Sequence, residues 1–451
     1  MYMAKTKTQF VCGNCGARYP KWTGKCENCG EWNTLVEEVI AGGSSALAKS
    51  TTKGSLLKAQ TINSIEGEEL SKRMSTSFSD LDAVLGGGIL PAGVMLLAGQ
   101  PGIGKSTLLL QVADAVARDQ SVLYVSGEES AHQVKLRATR LGAHTSSELH
   151  FVSSTSADDI AATIRSGNYK LVIIDSIQTL SLEDITSAPG TVSQITNASN
   201  AIIRAAKASG AAVILVGHVT KEGSIAGPKI LEHLVDVVLQ FEGDRYGGFK
   251  IVRASKNRYG STNEAALFEM NDGGLQLVAN PSAALLAERQ NADGSVVLAT
   301  MEGTRPLLVE IQALVNPTNF GYPKRTASGF DLNRLNLIVA VLERRTKLQL
   351  SDKDIYVNVV GGLRLADPAA DLAVCMAIAS AAAERKLEDD TVVFGEIGLG
   401  GEVRSVSTPA RRVEEAKKLG FKHIIGPATA SKQGVTTPVK DLRQALIDYL
   451  K

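Results

Sequence analysis

A glycine-rich motif at residues 99–106, GQPGIGKS, has the spacing G-x-x-x-x-G-K-[ST]. Loops of this type wrap a nucleotide's β-phosphate in backbone N–H groups, while the lysine neutralises the β- and γ-oxygens and the hydroxyl residue ligates Mg²⁺. An apolar run, MLLA, precedes the motif and a helical pattern, TLLLQVADAVAR, follows it, which is the order that such a site requires. The motif predicts an ATP·Mg²⁺ site formed by Gly99, Gln100, Pro101, Gly102, Ile103, Gly104, Lys105, Ser106 and Thr107.

Two carboxylates can complete the chemistry of this site. Asp175 ends the apolar run LVIID, and a strand tip is where a second Mg²⁺ ligand is expected, although an acid there can also belong to a simple turn. Glu128 and Glu129 follow the apolar run SVLYVSG, where a carboxylate can polarise the attacking water. We favour Glu128 as the general base and keep Glu129 as the alternative.

Four of the five cysteines form two C-x-x-C pairs, Cys12 with Cys15 and Cys26 with Cys29. Two such knuckles can place four thiolates around Zn²⁺, whereas a redox dithiol pair needs a thioredoxin-like context that this segment lacks. Four thiolates close the coordination sphere, so the pattern predicts a structural zinc site that folds a segment with little apolar content. Cys375 lies in an Ala-rich stretch and is interpreted as a small buried apolar residue.

The elements that must position these residues follow from the hydrophobic pattern. From about residue 74 to 271, short apolar runs alternate with helical segments, which is typical of an α/β domain with a mostly parallel sheet and helices on both faces. We assign residues 1–40 to a C4 zinc finger and 66–274 to the P-loop ATPase domain. Residues 41–65, which contain no acidic or aromatic residue, are assigned to a flexible linker, and 282–451 to an α+β domain.

The composition of the chain excludes several classes of protein. A chain of 451 residues is too long for one core, and 44% hydrophobic residues with a net charge of +1 exclude a wholly disordered chain. The sequence has no signal-peptide pattern and no membrane span, so we expect a cytoplasmic protein. The first 25 residues contain no acid and form either a phosphate-binding patch or a solvated terminus, with the cations Lys5, Lys7, Arg18, Lys21 and Lys25.

Around these motifs the chain resembles the RadA (Sms) family of bacterial DNA repair proteins. The segment DAVLGGGILPAG at residues 82–93 is similar to the entry of RecA- and KaiC-type ATPases, and KNRYG at residues 256–260 is similar to the RadA signature. The resemblance implies a RecA-like core, a hexameric ring with ATP between subunits, and action on single-stranded and branched DNA with RecA as a partner.

The resemblance also implies roles for residues that the motifs alone leave open. Lys256 and Arg258 would reach a neighbour's γ-phosphate as trans-acting cations, although they can also be exposed turn residues. His218, at the end of the run AVILVG, would sense the γ-phosphate, although a lone histidine is more often structural. It would pass that state to a DNA-binding loop at residues 219–229, in which Lys221 and Lys229 could contact DNA phosphates.

From about residue 282 onward the chain resembles the proteolytic domain of Lon. The segment DPAAD at residues 367–371 is similar to Lon's catalytic serine loop, but Ala369 stands in place of the serine, and the stretch where the lysine should fall, SVSTPARR at 405–412, has no lysine. Alanine offers no nucleophile and arginine cannot act as the base, so we expect an inactive scaffold. Its basic residues could meet DNA or form a solvated face, namely Lys324, Arg325, Arg334, Arg344, Arg345 and Lys347.

Three functions remain open on the sequence. The favoured one is a DNA-stimulated ATPase that translocates on single strands and drives branch migration of recombination intermediates with RecA. The second is a nucleotide-gated, single-stranded-DNA-binding recombination mediator without motor activity. The third is an ATP-dependent protease, against which Ala369 argues directly.

Overall fold

The computed structural model describes residues 7–12, 17–28, 30–40, 61, 72–143, 146–218, 230–243, 249–318 and 321–450. The chain divides into two compact units. The first contains residues 1–77, 87–101 and 105–239, and the second contains residues 78–86, 102–104 and 240–451. The predicted linker at 41–65 lies outside the described residues except for Thr61.

The N-terminal segment forms a small antiparallel sheet. Its strands are β1 (Lys7–Cys12), β2 (Arg18–Tyr19) and β3 (Leu35–Ile40), in the order β2-β1-β3. Cys12, Cys26 and Leu35 form its small buried core, against which Phe10, Ala17 and Tyr19 pack. With so few apolar side chains, this segment depends on something other than hydrophobic burial for its stability.

The rest of the first unit is built around a parallel sheet. Its strands are β4 (Val94–Gly99), β5 (Val122–Ser126), β6 (Leu149–Ser153), β7 (Leu171–Asp175), β8 (Ala212–His218) and β9 (Val237–Gly243), which continues into the second unit. The order is β9-β4-β8-β7-β5-β6, and the pairs from β4 to β6 are all parallel. The helices are α2 (Lys105–Val116), α3 (Ala131–Arg140), α4 (Ala157–Ser166), α5 (Val192–Ser209) and α6 (Ile230–Leu234), with a 3-10 turn at Ile177–Thr179.

Helices cover both faces of this sheet. Alternate residues of β4, β5, β7 and β8 pack against α4 and α5 in one buried cluster, while α2 contacts β5 and β7. Strands buried on both faces are continuous apolar runs, which is why the sequence revealed β4, β5, β7 and β8. Strand β6 was not among the predicted runs because it lies at the sheet edge and is only partly buried.

The second unit contains a set of antiparallel strands and a separate mixed sheet. Its first elements are α1 (Ser79–Val84), β10 (Lys250–Asn257), β11 (Ala265–Asn271), β12 (Gly274–Leu277) and α7 (Pro281–Leu286). Asp272 and Gly273 form the hairpin turn between β11 and β12, where Asn271 Oδ1 accepts from Gly273 N at 3.0 Å. Residues 240–274 belong to this second unit. The domain boundaries that the sequence places at residues 274 and 282 stay a prediction.

The mixed sheet forms the core of the second unit. Its strands are β13 (Ser295–Glu302), β14 (Arg305–Pro317), β15 (Arg325–Ser328), β16 (Lys353–Val359), β17 (Thr391–Val393), β20 (His423–Pro427) and β21 (Thr437–Val439). Their order is β15-β16-β14-β13-β17-β20-β21, and β18 (Glu396–Ile397) and β19 (Val403–Arg404) form a separate hairpin. The helices are α8 (Leu332–Thr346), α9 (Ala370–Ala383), α10 (Pro409–Lys418) and α11 (Leu442–Tyr449), with 3-10 turns at Val360–Gly362 and Ala428–Gln433. The predicted fold class, α/β with an N-terminal zinc module and a C-terminal α+β domain, is confirmed.

Candidate functional site

The predicted nucleotide residues meet at one edge of the parallel sheet. Gly99 at the end of β4 lies opposite His218 at the end of β8, and Ser126 at the end of β5 lies opposite Asp175 at the end of β7. The carboxyl ends of parallel strands form the crevice in which α/β domains bind ligands. Their register therefore brings together residues that are far apart in the sequence.

The glycine loop connects β4 to α2 as the motif predicts. Gly102 and Gly104 have φ angles of 78° and 115°, a region that glycine adopts without strain. Lys105 begins α2 and is 5% exposed, and its Nζ donates to the carbonyl oxygens of Gly99 at 2.8 Å and Gln100 at 3.0 Å. Together with Ser106, whose side chain is half-buried, these residues form the local geometry of a phosphate-binding loop.

His218 connects the loop lysine to the candidate base. Its Nδ1 lies 3.2 Å from Lys105 Nζ, and its Nε2 lies 3.3 Å from Glu128 Oε1. An ammonium can only donate and a carboxylate can only accept. An imidazole that accepts at Nδ1 and donates from Nε2 satisfies both contacts, so His218 links the two side chains.

Asp175 is a rigid, buried carboxylate at the end of β7. It is 7% exposed, and its Oδ2 accepts a hydrogen bond from the Tyr124 hydroxyl at 2.7 Å. A carboxylate oriented in this way has the hard oxygen donors that Mg²⁺ prefers. The sequence analysis missed Tyr124 because it is one aromatic residue within an apolar strand, where packing is the ordinary interpretation.

The contacts of Glu128 and Glu129 differ. Ser176 Oγ donates to Glu128 Oε1 at 2.5 Å, and the Glu128 side chain is 43% exposed, as a base that contacts water must be. Glu129 instead forms a two-point ion pair with Arg137 at 2.6 and 2.5 Å. Glu129 is thus held by a structural cation, and these contacts favour Glu128 as the base.

The turn that presents Glu128 depends on a close backbone approach. A Cβ placed on Gly127 would lie 2.1 Å from Thr179 Oγ1 in the 3-10 turn after β7. Only glycine fits at this distance. Ser176, which comes just before the same 3-10 turn, can therefore reach the Glu128 carboxylate.

Electrostatics keep the Glu128 carboxylate ionised. Burial pushes its pKa upward, but hydrogen bonds from Ser176 and His218, together with the nearby Lys105 ammonium, outweigh that effect and lower the pKa below its usual value. For Lys105 the dominant influence is burial, which lowers its pKa to about 8 even though Asp175 and Glu128 favour the charged form.

The pKa of Lys105 predicts how nucleotide affinity changes with pH. A triphosphate beside the ammonium would raise the pKa above 8, so binding at that pH takes up close to half a proton. Affinity should be flat below pH 8 and then fall by up to about tenfold per pH unit above it. Calorimetric titration with a non-hydrolysable ATP analogue, in two buffers of different ionisation enthalpy, measures the uptake. The residual binding of Lys105→Arg, which stays charged, should show no such dependence, and equal slopes in both proteins would contradict this prediction.

Two of the four predicted metal ligands lie among the described residues. Cys12 and Cys26 are buried, and Cys15 and Cys29 lie outside the described residues. Cys12 Sγ lies 3.2 Å from Thr34 Oγ1 and Cys26 Sγ lies 3.3 Å from the Tyr19 hydroxyl, so both sulfurs have hydroxyl neighbours that can donate to a thiolate. Buried sulfurs with such neighbours fit a thiolate metal site.

Three family models match separate segments of the chain. Residues 68–224 match the family model of an AAA domain, residues 10–37 a rubredoxin metal binding domain, and residues 333–430 subunit ChlI of Mg-chelatase. The DNA repair protein RadA of Bacillus subtilis is 50% identical over 440 residues, which are 97% of this chain and 95% of that protein. The chain belongs to the RadA family of DNA repair proteins.

Other RadA proteins match over similar lengths. That of Brucella abortus is 50% identical over 93% of this chain and 91% of its own length. That of Pseudomonas aeruginosa is 46% identical over 94% of both. Because the AAA domain match covers the glycine loop, Glu128, Asp175 and His218, this RadA family member is an ATP-hydrolysing enzyme.

The RadA signature at residues 256–260 covers the end of β10 and the bend that follows it. Asn257 Nδ2 donates to the Val84 carbonyl oxygen at 3.0 Å, and Asn257 Oδ1 accepts from Tyr259 N at 2.8 Å. Lys256, in the last residues of β10, is half-buried, and Arg258, just after the strand, is exposed. Lys221 and Lys229, with the rest of the predicted DNA-binding loop, lie outside the described residues.

The two segments that resemble Lon's catalytic region, residues 367–371 and 405–412, are joined by a buried ion pair in this RadA family member. Ala369 is fully buried and immediately precedes α9, and its N–H donates to Asp367 Oδ1 at 3.0 Å. The guanidinium of Arg412 is 0% exposed and donates to Asp367 Oδ2 at 2.6 Å and to the Ala299 carbonyl oxygen at 2.8 Å. These side chains provide neither the nucleophile nor the base of a protease.

Two of the basic residues suggested for DNA contact have structural roles. Arg334 forms an ion pair with the buried Asp371 and also donates to the Ile397 carbonyl oxygen. Arg325 donates to the carbonyl oxygens of Lys353 and Leu350. Their guanidinium groups are engaged within the second unit, and contact of these two residues with DNA stays a prediction. Within the described part of the chain, no helix is both long and apolar enough to cross a membrane.

Proposed function

We propose that this protein is a DNA-stimulated ATPase that translocates on single-stranded DNA and drives branch migration of recombination intermediates together with RecA. The observation that carries the proposal is the chain of contacts from Lys105 through His218 to Glu128, because His218 is the last described residue before the predicted DNA-binding loop. A group that touches both the phosphate-binding lysine and the base can transmit the state of the nucleotide to that loop.

The hydrolytic step is assigned to four side chains. Lys105 binds the β- and γ-phosphates, and Glu128 accepts a proton from the attacking water, for which its lowered pKa keeps it ionised. Ser106 and Asp175 would hold Mg²⁺, which offsets negative charge on the phosphates. Tyr124 orients Asp175, and Ser176 orients Glu128.

Assembly is expected to complete the site. We propose a hexameric ring in which Lys256 and Arg258 of one subunit contact the γ-phosphate bound by the next. Cations supplied in trans stabilise the charge of the transferred phosphoryl group and make hydrolysis depend on assembly. The bend held by Asn257 supports this role, because a catalytic cation must be presented in a fixed position.

The N-terminal segment is proposed to bind Zn²⁺ through Cys12, Cys15, Cys26 and Cys29. Metal ligation supplies folding free energy to a sheet whose own apolar core is small.

The relatives named above are bacterial DNA repair proteins, and we therefore also propose that this chain acts in the cytoplasm, where bacterial DNA is found.

The test compares the wild type with Lys105→Ala in two assays. The wild type should hydrolyse ATP faster when single-stranded DNA is added and should unwind a forked duplex, whereas Lys105→Ala should do neither, because it lacks the cation that binds the phosphates. ATP hydrolysis that does not respond to single-stranded DNA would contradict the proposal. Equal unwinding by both proteins would contradict the motor.

A further inference from the structure

The two tryptophans of the chain are both exposed on the N-terminal ribbon, which we define as residues 7–40. Trp22 is 55% exposed and Trp32 is 68% exposed. An exposed aromatic side chain does not gain the free energy that burial would give it. Two such side chains on one small module therefore indicate a binding surface. We propose that Trp22, Trp32 and Lys25 form a stacking surface for the bases of single-stranded DNA.

The backbone of the second knuckle holds the rings side by side. A Cβ placed on Gly24 would lie 3.6 Å from Trp32 Cζ3 and 3.8 Å from Trp22 Cη2, so both rings border the same point of the chain. Lys25 pairs with Trp32 in an antiparallel bridge, and Asn33 N donates to the Gly24 carbonyl oxygen at 2.8 Å. The surface is therefore preorganised next to the buried Cys26, which reduces the entropy cost of binding.

Cations lie beside the rings. Lys25 Nζ is 5.7 Å from the centre of the Trp32 ring, and Lys21, which precedes Trp22, is exposed. The chain contains no acidic residue before Glu27, and the side chains of Lys21 and Lys25 are both exposed, so this segment carries positive charge near the rings. Glu27 and Glu31 are exposed on the same hairpin, so we expect stacking to contribute more to binding than phosphate contacts do.

The chemistry of the surface favours unpaired bases over a protein partner. Sites for single-stranded nucleic acid combine aromatic rings, on which bases stack, with cations that meet the backbone. Protein-docking surfaces have an apolar centre, but the residues around these rings are polar or charged, and residues 20–33 contain no leucine, isoleucine, valine, methionine or phenylalanine. Duplex DNA does not fit either, because its bases already stack on each other.

The inference rests on the proposed function, since DNA is the track of the motor. It adds a contact that is distant in sequence from the predicted loop at residues 219–229. The surface would bind the strand independently of the nucleotide, because none of its side chains belongs to the ATP site.

The test uses the intrinsic fluorescence of the full-length, zinc-loaded protein. Because the chain has two tryptophans and both lie on this surface, any change in tryptophan emission reports on it alone. Oligothymidylate should quench the emission, with the same midpoint as its binding measured by anisotropy of a labelled oligonucleotide. A duplex of equal length should quench much less, and Lys105→Ala should be quenched like the wild type.

Variants separate stacking from a purely structural role. The double change Trp22→Ala with Trp32→Ala should weaken oligothymidylate binding by about tenfold or more, while Trp22→Phe with Trp32→Phe should retain most of the affinity because the rings can still stack. Zinc content measured on both variants controls for folding of the ribbon.

Several outcomes would overturn the inference. One is unchanged emission while the labelled oligonucleotide binds, and another is wild-type affinity in the zinc-loaded alanine variant. Emission that responds to purified RecA but not to oligothymidylate would assign the surface to a protein. Because these readouts do not depend on hydrolysis, they separate this inference from the proposed function, which fails if DNA does not stimulate the ATPase.

Discussion

Glu128→Gln is expected to lower the rate of ATP hydrolysis by about 10²- to 10⁴-fold while leaving nucleotide affinity close to that of the wild type. The amide keeps the shape of the side chain and can still accept hydrogen bonds from Ser176 and His218, but it cannot take a proton from water. Lys105, the loop and Asp175 are unchanged, so the phosphates should bind as before. Single-turnover phosphate release measures the chemical step, and equilibrium binding of a fluorescent nucleotide measures affinity.

The neighbouring acid provides a matched control. Glu129→Gln should keep hydrolysis within about tenfold of the wild type, because Glu129 is engaged with Arg137 and the change affects a structural ion pair. If Glu129→Gln lost more activity than Glu128→Gln, the assignment of the base would be wrong.

The Glu128→Gln variant also tests the proposed motor activity. A recombination mediator without motor activity would keep its effect on strand exchange when hydrolysis is lost.

Arg412→Ala is expected to destabilise the second unit by about 3–5 kcal/mol, because it leaves the carboxylate of Asp367 unpaired in a largely buried position. Besides the ion pair, the guanidinium donates to the carbonyl oxygens of Ala299 and Ser407 and lies 5.8 Å from the centre of the Phe394 ring. Alanine removes all of these contacts at once and leaves a cavity. Scanning calorimetry of the full chain should show the transition of this unit lowered by roughly 10 °C.

The adjacent arginine is the matched control for stability. Arg411 is exposed and makes one hydrogen bond, to the Thr304 carbonyl oxygen at 2.9 Å, so Arg411→Ala should cost less than about 1 kcal/mol. Arg412→Lys should fall between the two, since lysine keeps the charge but cannot donate to several acceptors in one plane. Equal stability of Arg412→Ala and Arg411→Ala would show that the buried ion pair does not stabilise the fold.

The local motifs were readable from the sequence because their chemistry depends on residues that are close along the chain. A strand, a glycine loop and a helix in succession have the local geometry of a phosphate site, which is why Gly99–Thr107 could be predicted as one. Strands β4, β5, β7 and β8 were also predicted, because burial on both faces produces continuous apolar runs. Loss of the protease dyad was equally visible, since Ala369 lacks the required atom whatever surrounds it.

Partnerships between distant residues could not be predicted in this way. The link from Lys105 through His218 to Glu128 exists because parallel strands end in register at one sheet edge. The support of Asp175 by Tyr124 and of Glu128 by Ser176 depends on which side chains face each other across strands. The ion pair of Arg334 with Asp371 was likewise not predicted, because it depends on a position on α8 that faces a buried carboxylate on α9.

The sequence by itself indicated the family, the candidate phosphate loop, the four cysteines proposed to bind metal and the alanine at the position of a protease nucleophile, because each of these is specified by residue type at short spacing. The tertiary structure alone decided which glutamate side chain is exposed and which is held by an arginine, what contacts each candidate catalytic side chain, and that Arg412 is buried in an ion pair. The physical reason is that pKa values, hydrogen-bond partners and burial are set by atoms that meet only after folding, from segments separated by tens to hundreds of residues.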